Sequence, residues 1–174
     1  MELTPSELTI LGLVIEHPSH GYDLERVIEQ RGIRQWTDVG FSSIYYLLAK
    51  LEKQDLVQGS ETAPGAKARR VFHATAKGKE VAARDTYAYI AEATPVAQPF
   101  LVGIANLPLL TEHEYARALH TRLAQIDTRI ATLRDAQQAQ TPLPLAAREV
   151  FSYSLSLMEA ERSWLAARAR VSDD

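Results

Sequence analysis

Ser42-Ser43-Ile44-Tyr45-Tyr46-Leu47-Leu48-Ala49-Lys50-Leu51-Glu52-Lys53 is the stretch on which the fold turns. Ile44, Leu47, Leu48 and Leu51 recur at i, i+3, i+4 and i+7, which predicts a helix with one apolar stripe. The opposite face carries Ser42, Tyr45, Tyr46, Ala49, Lys50 and Lys53, a mixture of small, aromatic and cationic groups. After Asp55 the pattern changes. Leu56–Thr62 and Arg69–Thr75 read as two short strands around the turn-rich Ala63-Pro64-Gly65-Ala66. From Thr62 to Lys79 there are five basic residues (Lys67, Arg69, Arg70, Lys77, Lys79) and no acidic ones.

Two more helices precede this stretch. Thr4, Pro5 and Glu7 make a capping box with proline in the first turn. The run Leu8, Ile10, Leu11, Leu13, Val14, Ile15 then predicts a buried helix that His17-Pro18 stops. Residues 21–30 carry Leu24, Val27 and Ile28 at helical spacing, with Gly32 as a C-terminal cap. Thr75 caps a fourth helix, about Ala76 to Ala93. Three helices, a hairpin with a basic loop and a further helix is the order of a winged helix-turn-helix. The third helix of such a unit can enter a DNA major groove, and a basic hairpin can grip the phosphate backbone.

The second half reads differently. Thr94–Thr111, with Pro95, Pro99, Gly103 and Pro108, is a linker or a broken short helix, and Phe100, Leu101, Val102 and Ile104 make it packed rather than loose. Two long helical segments follow, separated by Thr141-Pro142-Leu143-Pro144. Ala116, Leu119, Leu123, Ile126, Ile130 and Leu133 form a seam on the first. Val150, Tyr153, Leu157, Ala160, Trp164, Ala167 and Val171 form one on the second. Such seams predict a coiled-coil-like antiparallel hairpin. The expected fold is mainly α. A winged helix-turn-helix with a small two-stranded wing spans residues 1–93, and a long helical dimerisation domain spans residues 94–174.

Composition narrows the function. The chain has 174 residues, 46% of them hydrophobic, enough for a packed core. No apolar run reaches about 18 residues, so no membrane partner is expected. The N-terminus has no secretory pattern. There are no cysteines, which excludes disulfides, iron–sulfur clusters and thiol catalysis and fits a reducing cytoplasm. Nineteen Lys+Arg against 22 Asp+Glu give a net charge of -3, so any positive field must be local. Neither G-x-S-x-G, a phosphate-binding glycine loop nor H-E-x-x-H occurs, so no enzyme is expected. His113 and His120 lie two helical turns apart, and no histidine triplet has zinc spacing, so neither metal nor cofactor is expected.

The chain resembles the PadR family of bacterial transcriptional regulators, in the branch with a long helical C-terminal region. The resemblance is carried by His20-Gly21-Tyr22-Asp23-Leu24, by Ser42 through Glu52, and by Asp55-Leu56-Val57. It continues through Arg70-Val71-Phe72-His73-Ala74-Thr75 and Lys77-Gly78-Lys79, and more loosely through Leu109-Leu110-Thr111 and Glu161-Arg162-Ser163-Trp164-Leu165. It implies a homodimeric DNA-binding repressor, released in some members by a small, often aromatic effector. By the same resemblance Ser42, Ser43, Tyr45 and Lys50 fall on the recognition helix, and Lys67, Arg69 and Arg70 on the wing; Tyr46, which stands where the family usually has proline, is a DNA-binding candidate through its hydroxyl and ring. The wing cations rank above Lys50 as phosphate ligands, because no acid is expected nearby to neutralise them, whereas Lys50 neighbours Glu52 and Asp55. Of the tyrosine pair, one ring is expected on DNA and one over the neighbouring helix, with Tyr45 the partly buried one.

Seven aromatic residues lie outside the reading elements (Tyr87, Tyr89, Phe100, Tyr115, Phe151, Tyr153, Trp164), and ordinary core is the favoured reading for most. Tyr87 and Trp164 are the candidates for contact with a small aromatic or apolar effector. The expected partners are double-stranded DNA and a second copy of the chain. The alternative reading is a winged-helix protein-interaction module without specific DNA binding.

Overall fold

A computed structural model describes residues 2–40, 42–61, 70–93 and 95–169. Contacts divide the chain into two compact units, Met1–Pro95 and Val96–Asp174.

The first unit begins with α1 (Pro5–Glu16), whose capping box forms as the sequence requires: the Glu7 N–H donates to Thr4 Oγ1 and the Thr4 N–H to Glu7 Oε2. Ile10, Leu11 and Val14 are buried. Pro18 prevents continuation, and Ser19 then pairs with Phe72, each N–H donating to the other's carbonyl at 3.2 and 3.0 Å. This extra edge on the wing is invisible in the sequence, where a single residue between two helices carries no alternation.

Helix α2 (Gly21–Gln30) ends at Gly32, whose φ of +63° only glycine adopts without strain. A 3-10 turn, Ile33–Gln35, leads toward α3 (Ser43–Lys53). Arg34 fastens this connection. Its guanidinium donates to Glu25 and Glu29 at 2.6 Å each and to the Val39 carbonyl at 3.0 Å. The stripe Ile44, Leu47, Leu48, Leu51 faces inward and is buried throughout. After α3 the chain turns through Asp55 at φ 59°, a left-handed position that aspartate tolerates better than most residues.

Strands β1 (Val57–Glu61) and β2 (Arg70–Ala74) pair antiparallel, Val57 opposite Ala74 and Gly59 opposite Phe72. The expected turn residues 63–66 lie outside the described residues. Helix α4 (Ala76–Ala91) starts at Thr75, whose hydroxyl accepts the Gly78 N–H at 2.9 Å. A Cβ on Gly78 would stand 2.0 Å from the Leu56 carbonyl oxygen, so only glycine lets α4 lie this close to the start of β1. One core holds the unit together: α1, α2 and α3 contribute Ile10, Leu11, Leu24, Ile28, Leu48 and Leu51, and the wing closes it with Leu56, Val57 and Phe72.

The second unit has a short helix α5 (Pro99–Ala105), a 3-10 turn at Leu107–Leu109, and the long α6 (Glu112–Ala139) and α7 (Leu145–Ala169). Of the expected packing in the linker stretch, Phe100 joins the core, whereas Leu101 and Val102 are exposed. On α6 the expected seam is the observed one: Leu119, Ile126, Ile130 and Leu133 are buried.

On α7 it is so only in part. Phe151, Leu155, Met158, Leu165 and Ala169 face inward together with Trp164 of the expected seam, while Val150, Tyr153 and Leu157 of that seam are exposed, Tyr153 at 68%. A shift of one residue rotates the face by about 100°. The helix carries apolar residues on more than one face, and periodicity alone does not say which of them meets α6. Three ion pairs, Arg122–Glu161, Asp127–Arg162 and Arg134–Glu159, tie α7 to α6. Val171 lies outside the described residues. None of the described helices is long and apolar enough to cross a membrane.

Candidate nucleic-acid interface

Helix α3 presents its N-terminal end to solvent. Ser42, the N-cap, is exposed and its side chain makes no capping hydrogen bond. The Ser43 hydroxyl donates to the Gly40 carbonyl at 2.6 Å, which fixes the entry of the chain into the helix. Tyr45 and Tyr46 are 57% and 68% exposed. Tyr45 is the ring over the neighbouring helix: a Cβ on Gly21 would meet its Cε1 at 2.6 Å. Gly21 is therefore the seat of that ring, a use of the His20-Gly21-Tyr22 motif that spacing alone does not announce. Tyr46 is the more open of the pair.

The two expected phosphate ligands inside the described residues are both engaged by acids. Lys50 Nζ lies 2.6 Å from Glu7 Oε1 of α1 rather than pairing with Glu52 or Asp55. Glu7 is only 2% exposed. Burial by itself would raise its pKa, but the Lys50 ammonium and the two Thr4 hydrogen bonds outweigh burial and hold the carboxyl below its ordinary value. The same contact raises Lys50.

Arg70 corrects the expectation that no acid neutralises the wing cations. Its Nη2 donates to Glu52 Oε1 at 2.6 Å, and its guanidinium lies across Gly59 and 5.3 Å from the Phe72 ring centroid. Glu52 also accepts the Gly59 N–H at 3.0 Å, so one carboxylate of α3 holds both strands of the wing. Acids distant in sequence but adjacent in the fold leave no local signal. Lys67 and Arg69 lie outside the described residues.

A second polar fastening sits behind α1. The Leu3 N–H donates to Asp85 Oδ2 at 2.7 Å, and the Tyr89 hydroxyl donates to the Leu3 carbonyl at 2.7 Å. Asp85 is 2% exposed. Burial opposes its ionisation, but the Leu3 N–H and Arg84 overcome that and keep its pKa below the ordinary value.

Residues 10–84, which include all of this except Leu3, Thr4, Glu7, Asp85 and Tyr89, match the Transcriptional regulator PadR-like family. The chain carries a PadR-like domain. No curated protein matches it in sequence. Among solved structures, Bacillus subtilis PadR superposes with a TM-score of 0.77 at 18% identity, over 100% of this chain and 99% of that one. The same protein in complex with operator DNA gives 0.76 at 19% identity, over 95% and 98%. The PadR-like regulator BC1756 of Bacillus cereus gives 0.70 at 17% identity, over 97% and 98%. The likeness extends beyond the PadR-like domain to the whole fold, a winged helix followed by long helices.

The candidate effector residues lie in different units. Tyr87 is 75% exposed on α4. Trp164 is half-buried on α7, edge-on to Phe100 at 5.7 Å between ring centroids, with the Arg168 guanidinium 3.7 Å from its ring centroid. Arg122 stacks 4.0 Å over Phe100. A groove of about 850 Å³ runs between α6 and α7, but it is crossed by the Asp127–Arg162 and Arg134–Glu159 pairs and touches neither candidate. Among the described residues no three potential metal ligands cluster.

Proposed function

We propose that the chain is a homodimeric repressor that binds a pseudo-palindromic DNA operator through its PadR-like domain. One observation carries the reading: α3 presents Ser42 and Tyr46 to solvent at its N-terminal end, and the sequence from Thr62 to Lys79, beyond β1, holds five cations and no acid. Ser42, Ser43 and Tyr46 read base edges or sugars in the major groove, and Tyr45 supports them from Gly21. Lys67 and Arg69 grip phosphate. The exposed face of α7 (Val150, Tyr153, Leu157) is covered by a second copy of the chain. A two-fold dimer sets its half-sites about 34 Å apart, one turn of duplex. Occupancy blocks transcription.

One solved PadR holds p-coumaric acid. By analogy a small aromatic effector, meeting Tyr87 or Trp164, releases this chain by favouring its DNA-free state.

Selection from a random duplex library, followed by fluorescence anisotropy over a salt series, tests the reading. A palindromic consensus is expected, and about six phosphate contacts per dimer would weaken binding roughly a thousandfold between about 50 and 200 mM salt. Lys67→Ala with Arg69→Ala should abolish binding to the selected duplex. Failure to enrich any sequence, with no binding at low salt, would overturn the proposal in favour of a protein-interaction module.

A further inference from the structure

The Glu7–Lys50 pair assigns Lys50 a different task from the phosphate grip its position on α3 suggests. Glu7 is among the most buried residues of the first unit, and an ionised carboxylate there is tolerated only if it is paired. Its Oε2 is taken by the Thr4 N–H at 2.8 Å, so the carboxylate is fixed to the start of α1. No aligned hydrogen bond reaches Oε1; the Lys50 ammonium at 2.6 Å is what compensates it. Taking Lys50 away to a phosphate would strand that oxygen. Thr4 is itself held from behind, since its neighbour Leu3 is clamped by Asp85 and Tyr89 of α4. The Lys50 side chain thus spans from the outer face of α3 to a carboxylate with no freedom to follow it.

We propose that Lys50 is a positioning residue: the Glu7–Lys50 pair sets the rotation and depth of α3 against α1, and through that setting governs which base edges the N-terminal end of α3 meets. It contributes to sequence choice rather than to phosphate attraction. The inference rests on the DNA-binding reading above.

The test uses the full chain, the duplex that the wild-type protein selects from a random library, and a scrambled duplex of equal length. Glu7→Gln/Lys50→Gln is the informative variant, because it leaves the net charge unchanged and strands no charge. With Lys50 as a positioning residue, the double variant melts cooperatively and loses about tenfold of its preference for the selected duplex, the worth of one base contact. Its salt slope on both duplexes stays that of the wild type. Glu7→Gln alone gives the same loss of preference, although it removes a negative charge and so raises the net charge by one. The opposite pattern overturns the proposal: affinity falling equally on both duplexes, a salt slope shallower by about one per protomer, and Glu7→Gln binding both duplexes more tightly. Wild-type protein that selects no duplex overturns this inference and the DNA-binding reading together, whereas equal weakening by the double variant overturns this inference alone.

Discussion

Two buried carboxylates should make the N-terminal unit sensitive to acid. Glu7 and Asp85 both have folded-state pKa values below their ordinary values of 4.5 and 3.8. A carboxyl with a depressed folded pKa adds stability that is complete above its unfolded pKa and disappears as pH falls through the folded one. The melting temperature should therefore hold from neutrality to about pH 5 and fall below about pH 4. Asp85→Asn should melt lower than the wild type at pH 7, and the gap should narrow toward pH 3. Melting followed by circular dichroism at several pH values checks both statements, and a gap of constant width would refute the second. Neither role was legible in the sequence beyond Glu7 as a helix cap. A capping box is read within four residues, while the partners Lys50 and Leu3 are supplied by the fold.

At the scale of elements, the sequence spoke clearly wherever periodicity was strong. The caps at Thr4 and Thr75, the stripe of α3 and the two strands of the wing stand within a residue or two of their expected places. It was silent on the Ser19–Phe72 bridge, which has no pattern of its own, and ambiguous on α7, where two apolar faces compete for one partner helix. Gly78 shows how closely two elements can be set. Replacing it with alanine gains about 0.5–1 kcal/mol of helix propensity. The new methyl would then meet a backbone carbonyl at 2.0 Å, a clash that no side-chain rotation relieves. Overpacking of this kind costs about 1–3 kcal/mol or more, so Gly78→Ala should be net destabilising. Urea denaturation measures the balance, and an unchanged midpoint would mean that α4 can slide outward at little cost.

At the scale of the whole molecule, the two faces of α7 make separable predictions. Leu165 is fully buried against α6, so Leu165→Ala should cost about 2–5 kcal/mol of unfolding free energy. Leu157 is 55% exposed, so Leu157→Glu should leave folding nearly untouched. If a second copy covers that face, the same substitution places a charge in the interface and should halve the mass seen by sedimentation. Operator binding would weaken with it, because each protomer would then hold only one half-site. A Leu157→Glu protein of unchanged mass would place the dimer contact elsewhere.

The fastenings of the N-terminal unit have a consequence for how such chains diversify. Leu3–Asp85, Leu3–Tyr89, Glu7–Lys50 and Glu52–Arg70 all begin and end before Ala91. A recombination event that exchanged the coding sequence after that residue would sever none of them. The fastenings that hold α3 can thus be inherited together with the N-terminal unit while the sequence after it changes, and lineages can vary the C-terminal helices without relearning how to hold α3.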